Sequence, residues 1–386
     1  MFRAERIEMS AGKSRTRLWF LWHSWLAMPI WAFLFFICVT GTIAVVSTEI
    51  TWLVDPSMRA SGEGQPLPPS ALIAAAEAAA PGGQVGSLSW GGSHMAVGAE
   101  MALPDGTYTT AWVNPVTGAV QGLSPGNSFR QFIRALHGWL MTFPTGWYLV
   151  TALAIPLVGS LVTGLVVYKR FWKSFYQPRI RWTQAPRVMW GDLHRVAGTW
   201  SIWFIAVISV TSLWFLIYIA LFHLGIGLGG GKAPVMVARD QIPVSAVRPK
   251  TDADAVVAAA MAALPDMRLR YLRLPDTAYD TASVFGSSGQ VPLLPDIVRI
   301  NPYTAEVIAV EGGLEGSSGV ELTRTIMRAL HTGDFGGLPV KLIWFAFGSL
   351  MSLLVFSGML IWTKRTARAT VEAVRGLRTA RASSNA

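Results

Sequence analysis

A single cysteine, Cys38, occurs in 386 residues, so the chain can form neither a disulfide framework nor a thiolate metal site. Cys38 lies in a long apolar stretch, where a lone thiol acts as a small apolar filler. Charge is also scarce: only 14% of residues are charged, and 32 basic side chains outnumber 22 acidic ones. No G-x-G-x-x-G opens a helix after a strand, and no H-E-x-x-H, P-loop or Ser–His–Asp grouping is present. Dinucleotide-dependent and hydrolytic chemistry therefore have no support.

What is abundant is apolar. Hydrophobic residues make up 52% of the chain, and 17 are Trp. Four stretches carry no Asp, Glu, Lys or Arg: Leu18–Thr48, Ala135–Tyr168, Val196–Gly231 and Leu342–Thr363. A helix crosses the hydrocarbon core with about 20 apolar residues, so each stretch is long enough for one span. The first is too long for a cleavable leader and lacks a small-residue cleavage site close behind it.

Basic residues set the expected orientation. Lys13, Arg15 and Arg17 precede the first span. Lys169, Arg170, Lys173, Arg179, Arg181 and Arg187 fill the connection between the second and third, and Lys364, Arg365 and Arg368 follow the fourth. No Lys or Arg occurs between Arg59 and Arg130. The positive-inside rule then puts both termini and the short middle loop in the cytoplasm, with two large loops outside. The net charge of +10 is read as this topology signal and as contact with membrane lipid; a nucleic-acid partner is not expected.

The expected order is a cytoplasmic N-terminus (1–17), a first span (18–48), an outside domain (49–126), and an amphipathic helix with a second span (127–170). A cytoplasmic loop (171–189), a third span (190–223) and a second outside domain (224–320) follow. An amphipathic helix with a fourth span (321–363) and a cytoplasmic tail (364–386) complete it. Each half repeats one plan, and Arg-Ala-Leu-His recurs at Arg134–His137 and Arg328–His331, before both even-numbered spans. The outside domains read as small α+β modules. Ala-rich helices over 70–80 and 252–263 are stopped by Pro81 and Pro265. Strands at Tyr108–Val113 and Ile297–Ile300 run into turns at Asn114-Pro115-Val116-Thr117-Gly118 and Asn301-Pro302-Tyr303-Thr304-Ala305, and further strands follow at Ala119–Gln121 and Glu306–Val310. Stretches 60–70 and 224–234 are linkers.

The N-P-x-T-[GA]-x-V turns resemble the signature of the PepSY module. Asp192-Leu193-His194-Arg195-Val196-Ala197-Gly198-Thr199-Trp200, with the span endings Thr40-Gly41 and Thr163-Gly164, resembles PepSY-associated transmembrane proteins. The resemblance covers Leu18 to Lys364 and is nearest to FoxB-type inner-membrane siderophore reductases. Ala305 replaces the motif glycine in the second turn, and Thr211-Ser212 stands where Thr-Gly is expected. The resemblance implies a four-helix transmembrane bundle with two PepSY-like domains in the periplasm of a bacterium, built by internal duplication.

Each span carries one histidine at or just before its start: His23, His137, His194 and His331. Ionisable groups near lipid are a functional signal by default. A lone histidine there is usually an anchor; four at matching positions, two at each face, suggest axial ligands of two b-type haems. His23 and His194 both follow a Trp by four residues (Trp19, Trp190) and share an expected depth, while His137 pairs with His331. Arg134 and Arg328, three residues earlier on the same helix faces, are candidates for haem propionates. His223, 29 residues after His194, returns to nearly the same helix face and is an alternative ligand, although interfacial anchoring is the favoured reading. His94 reads as a surface residue. Trp19, Trp22, Trp25, Trp139, Trp147, Trp190 and Trp362 fit interfacial belts without any cofactor.

The expected activity is one-electron reduction of a ferric siderophore outside, with the acceptor class implied by the resemblance. The cytoplasmic segments are too short for a flavin or nicotinamide domain, which leaves a quinol or a separate protein as donor. Two other readings remain open. One is transport of iron–siderophore or haem, for which Pro29, Pro144 and Pro156 offer helix breaks. The other is a membrane-anchored chaperone or peptidase regulator.

Overall fold

The structure is a computed structural model that describes residues 18–384, apart from 27, 127, 169–170, 227–233, 245–246, 289–292 and 313–318. Side chains of Met28, Phe171 and 364–384 are not described. Lys13, Arg15, Arg17, Lys169, Arg170 and part of the 224–234 linker therefore lie outside the described residues, as do the side chains of Lys364, Arg365 and Arg368.

The described residues open with helix α1 (Leu18–Leu26) and α2 (Trp31–Val45), with a 3-10 turn over Met28–Ile30 between them and a bend of 64°. Pro29 sits in that break, where its ring removes a backbone donor and ends a regular helix. Next come α3 (Ser47–Val54), a 3-10 turn at Pro56–Met58 and α4 (Pro69–Ala79). Four strands follow: β1 (Gln84–Ser89), β2 (Val97–Ala102), β3 (Tyr108–Val113) and β4 (Val120–Pro125). Helices α5 (Phe129–Trp139), α6 (Thr145–Ala152), α7 (Ala154–Val167), α8 (Phe171–Tyr176) and α9 (Pro186–His223) come next. A 3-10 turn at Arg239–Gln241 precedes α10 (Ala253–Ala263). Strands β5 (Arg268–Arg273), β6 (Ala282–Ser287), β7 (Asp296–Ile300) and β8 (Val307–Gly312) lead to α11 (Gly319–Thr332) and α12 (Gly337–Ser384).

Three described helices are long and apolar enough to cross a membrane: Thr145–Val167, Pro186–His223 and Gly337–Thr363. Taking α1 and α2 as one broken span brings the number to four. The chain is a multi-pass membrane protein by this measure.

Two compact units emerge. The helical unit holds residues up to Val45, Arg134–Ala220 and Lys341 onward; the sheet unit holds Val46–Ile133 and Leu221–Val340. Within the helical unit, rings lock α2 and α12 together through Phe35 and Phe356, whose centres lie 5.7 Å apart. Trp203 of α9 meets Phe347 of α12 at 4.7 Å. Trp190 packs against Phe356 at 5.7 Å, so it has a partner inside the unit besides any role at an interface.

The sheet unit is one antiparallel sheet of eight strands in the order β4-β3-β2-β1-β5-β6-β7-β8. The two α+β segments share it through β1 and β5, whose register runs Ser87↔Arg273, Leu88↔Leu272, Ser89↔Tyr271. That register is centred on Leu88 and Leu272 and maps onto itself when the halves are exchanged. Each half thereby hides an edge strand that would otherwise offer unpaired backbone groups. Helices α4 and α10 cover one face. Leu72 and Ala76 on α4, and Val256 and Ala260 on α10, lie one turn apart and are all at most 1% exposed. They pack with Leu88, Met101, Leu272, Val284 and Ile300 to form the core.

Both Asn-Pro turns are wired alike. Buried Asn114 accepts from the backbone N–H of Val116 (2.9 Å) and donates to the Ser61 carbonyl (2.8 Å). Buried Asn301 accepts from the Tyr303 N–H (2.9 Å) and donates to Gln241 Oε1 (3.0 Å). Gly118 takes φ +73° in the first turn, and Ala305 takes φ 58° in the second. A side chain in that region costs about 1–2 kcal/mol, which glycine avoids. Ala305→Gly is therefore expected to stabilise the sheet unit by about 1 kcal/mol, seen as slower hydrogen exchange in β7 and β8. Faster exchange there would show that Ala305 makes a contact outweighing its backbone strain.

Candidate functional site

Three of the four histidines seat in the helical unit in one recurring way. His23 on α1 brings Nδ1 to Thr163 Oγ1 of α7 at 2.9 Å. His194 on α9 brings Nδ1 to the Leu354 carbonyl (3.1 Å) and Ser357 Oγ (3.0 Å) of α12. His137 on α5 brings Nδ1 to the Ile37 carbonyl (3.1 Å) of α2, with Thr40 Oγ1 at 3.4 Å. In each seat the hydroxyl residue is followed by glycine: Gly164, Gly358 and Gly41. A Cβ on those glycines would stand 3.4 Å from His23 Cε1, 3.2 Å from His194 Cε1 and 2.6 Å from His137 Cε1. The imidazoles lie against bare helix backbone, and only glycine allows so close an approach at Gly41.

The local chemistry fixes the tautomer. Thr163 Oγ1 donates to the Gly159 carbonyl (2.6 Å), Thr40 Oγ1 to Phe36 (2.9 Å) and Ser357 Oγ to Leu354 (3.0 Å). A hydroxyl whose hydrogen is used in this way can only accept from the imidazole, and a carbonyl has no hydrogen to give. Nδ1 is thus the N–H in all three histidines, which makes Nε2 the unprotonated ring nitrogen. This is how proteins orient histidines that bind metals through Nε2.

Two of the seats converge. The His23 and His194 ring centres are 6.3 Å apart with planes at 76°. Among the described residues no group of three or more His, Cys, Asp or Glu side chains comes together around a metal position. A bare ion would find two imidazoles there and no acid. A metal whose remaining ligands travel with it suits that donor set.

A family model described as the PepSY-associated TM region matches residues 20–365. The chain belongs to the PepSY-associated transmembrane family. None of the curated proteins matches it. The Asp-Leu-His-Arg segment and the span-ending Thr-Gly pairs thereby acquire a physical reading. The first carries His194, and the pairs at Thr40-Gly41 and Thr163-Gly164 are the seats of His137 and His23.

The remaining sequence candidates are placed as follows. His331 and Arg328 lie on α11 in the sheet unit, with Arg328 exposed. Arg134 precedes His137 by three residues on α5 and is half-buried. His223 is the last residue of α9; it is exposed, and its ring stands edge-on to Phe222 at 5.6 Å. His94 is exposed and edge-on to Trp52 at 5.4 Å. The seat residue Ser357 with Gly358 was not singled out in the sequence. A hydroxyl residue followed by glycine inside an apolar span is the signal that finds it.

Ser357→Ala removes one of two acceptors for His194 Nδ1 and leaves the Leu354 carbonyl. We expect a folded protein in which a metal bound at His194 shows a changed reduction potential, because second-shell hydrogen bonds set ligand basicity. An unchanged potential in redox titration would assign the orientation of His194 to the carbonyl alone.

Proposed function

We propose that this PepSY-associated transmembrane protein is a two-haem electron conduit of the bacterial inner membrane, close to the FoxB-type siderophore reductases. In this reading it reduces ferric siderophores on the periplasmic side and so releases iron. One b-type haem is assigned to His23 and His194. The second is assigned to His137 and His331 by their equivalent places in the repeated sequence, which we read as an internal duplication of a two-span unit into a four-span bundle. Both termini are then cytoplasmic.

The observation that carries this reading is the His23–His194 separation. An imidazole nitrogen lies about 2 Å from a metal it binds, and its ring centre about 1 Å further, so two imidazoles that would hold one iron between them would have centres about 6 Å apart. The 6.3 Å between the His23 and His194 ring centres fits. Nδ1 of each ring is taken up by its helix seat, which leaves Nε2 unprotonated, as iron requires. The apolar surroundings suit a porphyrin, and a haem there supplies reversible one-electron chemistry.

The protein's own part is to hold the imidazoles in one tautomer, keep water from them and set their basicity through Thr163, Ser357 and Leu354. Fe(III) reduced to Fe(II) binds hard oxygen chelators less well, which explains release. The donor is a quinol or a separate redox protein.

Proteoliposomes with a quinol inside and a ferric hydroxamate chelate outside test this. The wild type should produce external Fe(II), trapped by a ferrous indicator, and a His23→Ala/His194→Ala variant should not. Equal rates from the two proteins would remove the reductase reading.

A further inference from the structure

One side-chain cluster, which borders His194 in sequence, needs no haem to explain it. Between Tyr168 and Val196 the chain carries seven basic residues (Lys169, Arg170, Lys173, Arg179, Arg181, Arg187, Arg195) and one acid, Asp192. Asp192, on the second turn of α9, is 1% exposed. It accepts from Arg181 Nε (2.8 Å), Arg181 Nη2 (2.9 Å), the Arg181 backbone N–H (3.2 Å) and Arg195 Nη2 (2.6 Å). An ionised carboxylate has about four lone-pair sites, and here all are taken. The acid is a pin that holds two guanidinium groups in place, and the trio keeps one uncompensated positive charge.

That charge is presented outward. The Arg181 and Arg195 side chains are 43% and 36% exposed. Neither Nη1 has a partner among the described residues, and Arg195 Nε is shut off from water without an acceptor. A guanidinium fixed by one carboxylate loses little freedom on taking a second oxyanion, and its planar fork matches phosphate or carboxylate. In the same stretch of chain, Trp172, Tyr176 and Trp182 are 62%, 76% and 65% exposed. Indoles and phenols in such numbers belong at the headgroup level of a bilayer. Phe175 holds α8, which carries Trp172 and Tyr176, against Trp200 of α9 at 5.8 Å.

We infer that Arg181 and Arg195, pinned by Asp192, form an oxyanion seat for the phosphate of an anionic phospholipid. A carboxylate of a cofactor held at His194 offers the same chemistry, so the experiment must separate the two sources. Full-length protein is exchanged into nanodiscs of phosphatidylcholine with a minority of phosphatidylglycerol, and retained lipid is counted by native mass spectrometry.

The wild type should retain phosphatidylglycerol selectively, and Arg181→Gln/Arg195→Gln should lower that selectivity by about tenfold, the worth of one charged hydrogen bond. Arg181→Lys/Arg195→Lys, which keeps the charge but not the fork, should fall with it and also covers the case in which the Gln variant fails to fold. Arg187→Gln, which does not touch Asp192, should behave as wild type. His23→Ala/His194→Ala should keep the lipid. Loss of lipid in that histidine variant, or loss of haem but not lipid in the Arg variants, would give the seat to the cofactor carboxylate and overturn the lipid assignment. Equal loss in Arg187→Gln would reduce the effect to overall charge and overturn the seat.

Discussion

His194→Ala is expected to purify with about one haem fewer per chain than wild type, and the remaining haem should keep its spectrum. The expectation follows from the geometry of a single seat. His194 is held by two acceptors on α12, and its ring centre stands 6.3 Å from that of His23, so with either ring alone the proposed iron would lack one of its two imidazoles. His23→Ala should therefore lose the same haem, and the double variant should lose no more than either single. Non-additivity of that kind marks two residues acting on one group. Additive losses from the two substitutions would mean that His23 and His194 serve different irons, and the pairing would be wrong. The readout is haem content by pyridine haemochrome with protein quantified separately, which does not depend on any reductase activity.

The second large effect is expected at a residue that is not a ligand. Replacing a helix-interior glycine by alanine ordinarily stabilises a helix by about 0.5–1 kcal/mol. At Gly41 the new Cβ would fall 2.6 Å from His137 Cε1, 3.0 Å from Nδ1 and 3.2 Å from Nε2. The ring must move off α2, giving up its bonds to Ile37 and Thr40. Gly41→Ala is thus expected to cost the haem assigned to His137 while leaving the His23–His194 haem in place, and Gly41→Val should do so completely. Gly164→Ala, with 3.4 Å to His23, should be nearly tolerated, and Gly138→Ala, with nothing within 4 Å, should be silent. A graded series 41, 164, 138 in haem content would support the seat. Full haem in Gly41→Val would show that His137 is not a ligand in this position.

The apolar stretches and the histidines beside them stand out in the sequence because each signal is local. An apolar run of about 20 residues has few meanings, and a histidine beside one is rare enough to notice. Pro29 announced a possible break in the first span, though the 64° bend between α1 and α2 depends on packing as well. The seats were not legible, because each joins residues far apart in the chain: 97 for Thr40 and His137, 140 for His23 and Thr163, 163 for His194 and Ser357. The same limit governs the sheet. Strand β3 and the starts of the Asn-Pro turns were readable from β-branched and aromatic residues and turn chemistry. Strands β1 (QVGSLS) and β2 (VGAEMA) are diluted by Gly, Ser and Ala, and their persistence comes from pairing on both sides in the middle of an eight-stranded sheet. The junction of Leu88 with Leu272, which merges two α+β segments into one sheet, has no local signature at all.

The measurement that bears most directly on the paired-imidazole account is the visible spectrum of the purified, folded protein produced with ample haem precursor, read with its haem stoichiometry. Two b-type haems per chain, low-spin in both oxidation states and with sharp α and β bands after dithionite, are the predicted result. A monodisperse, folded and colourless protein, or one whose haem is high-spin, would contradict it.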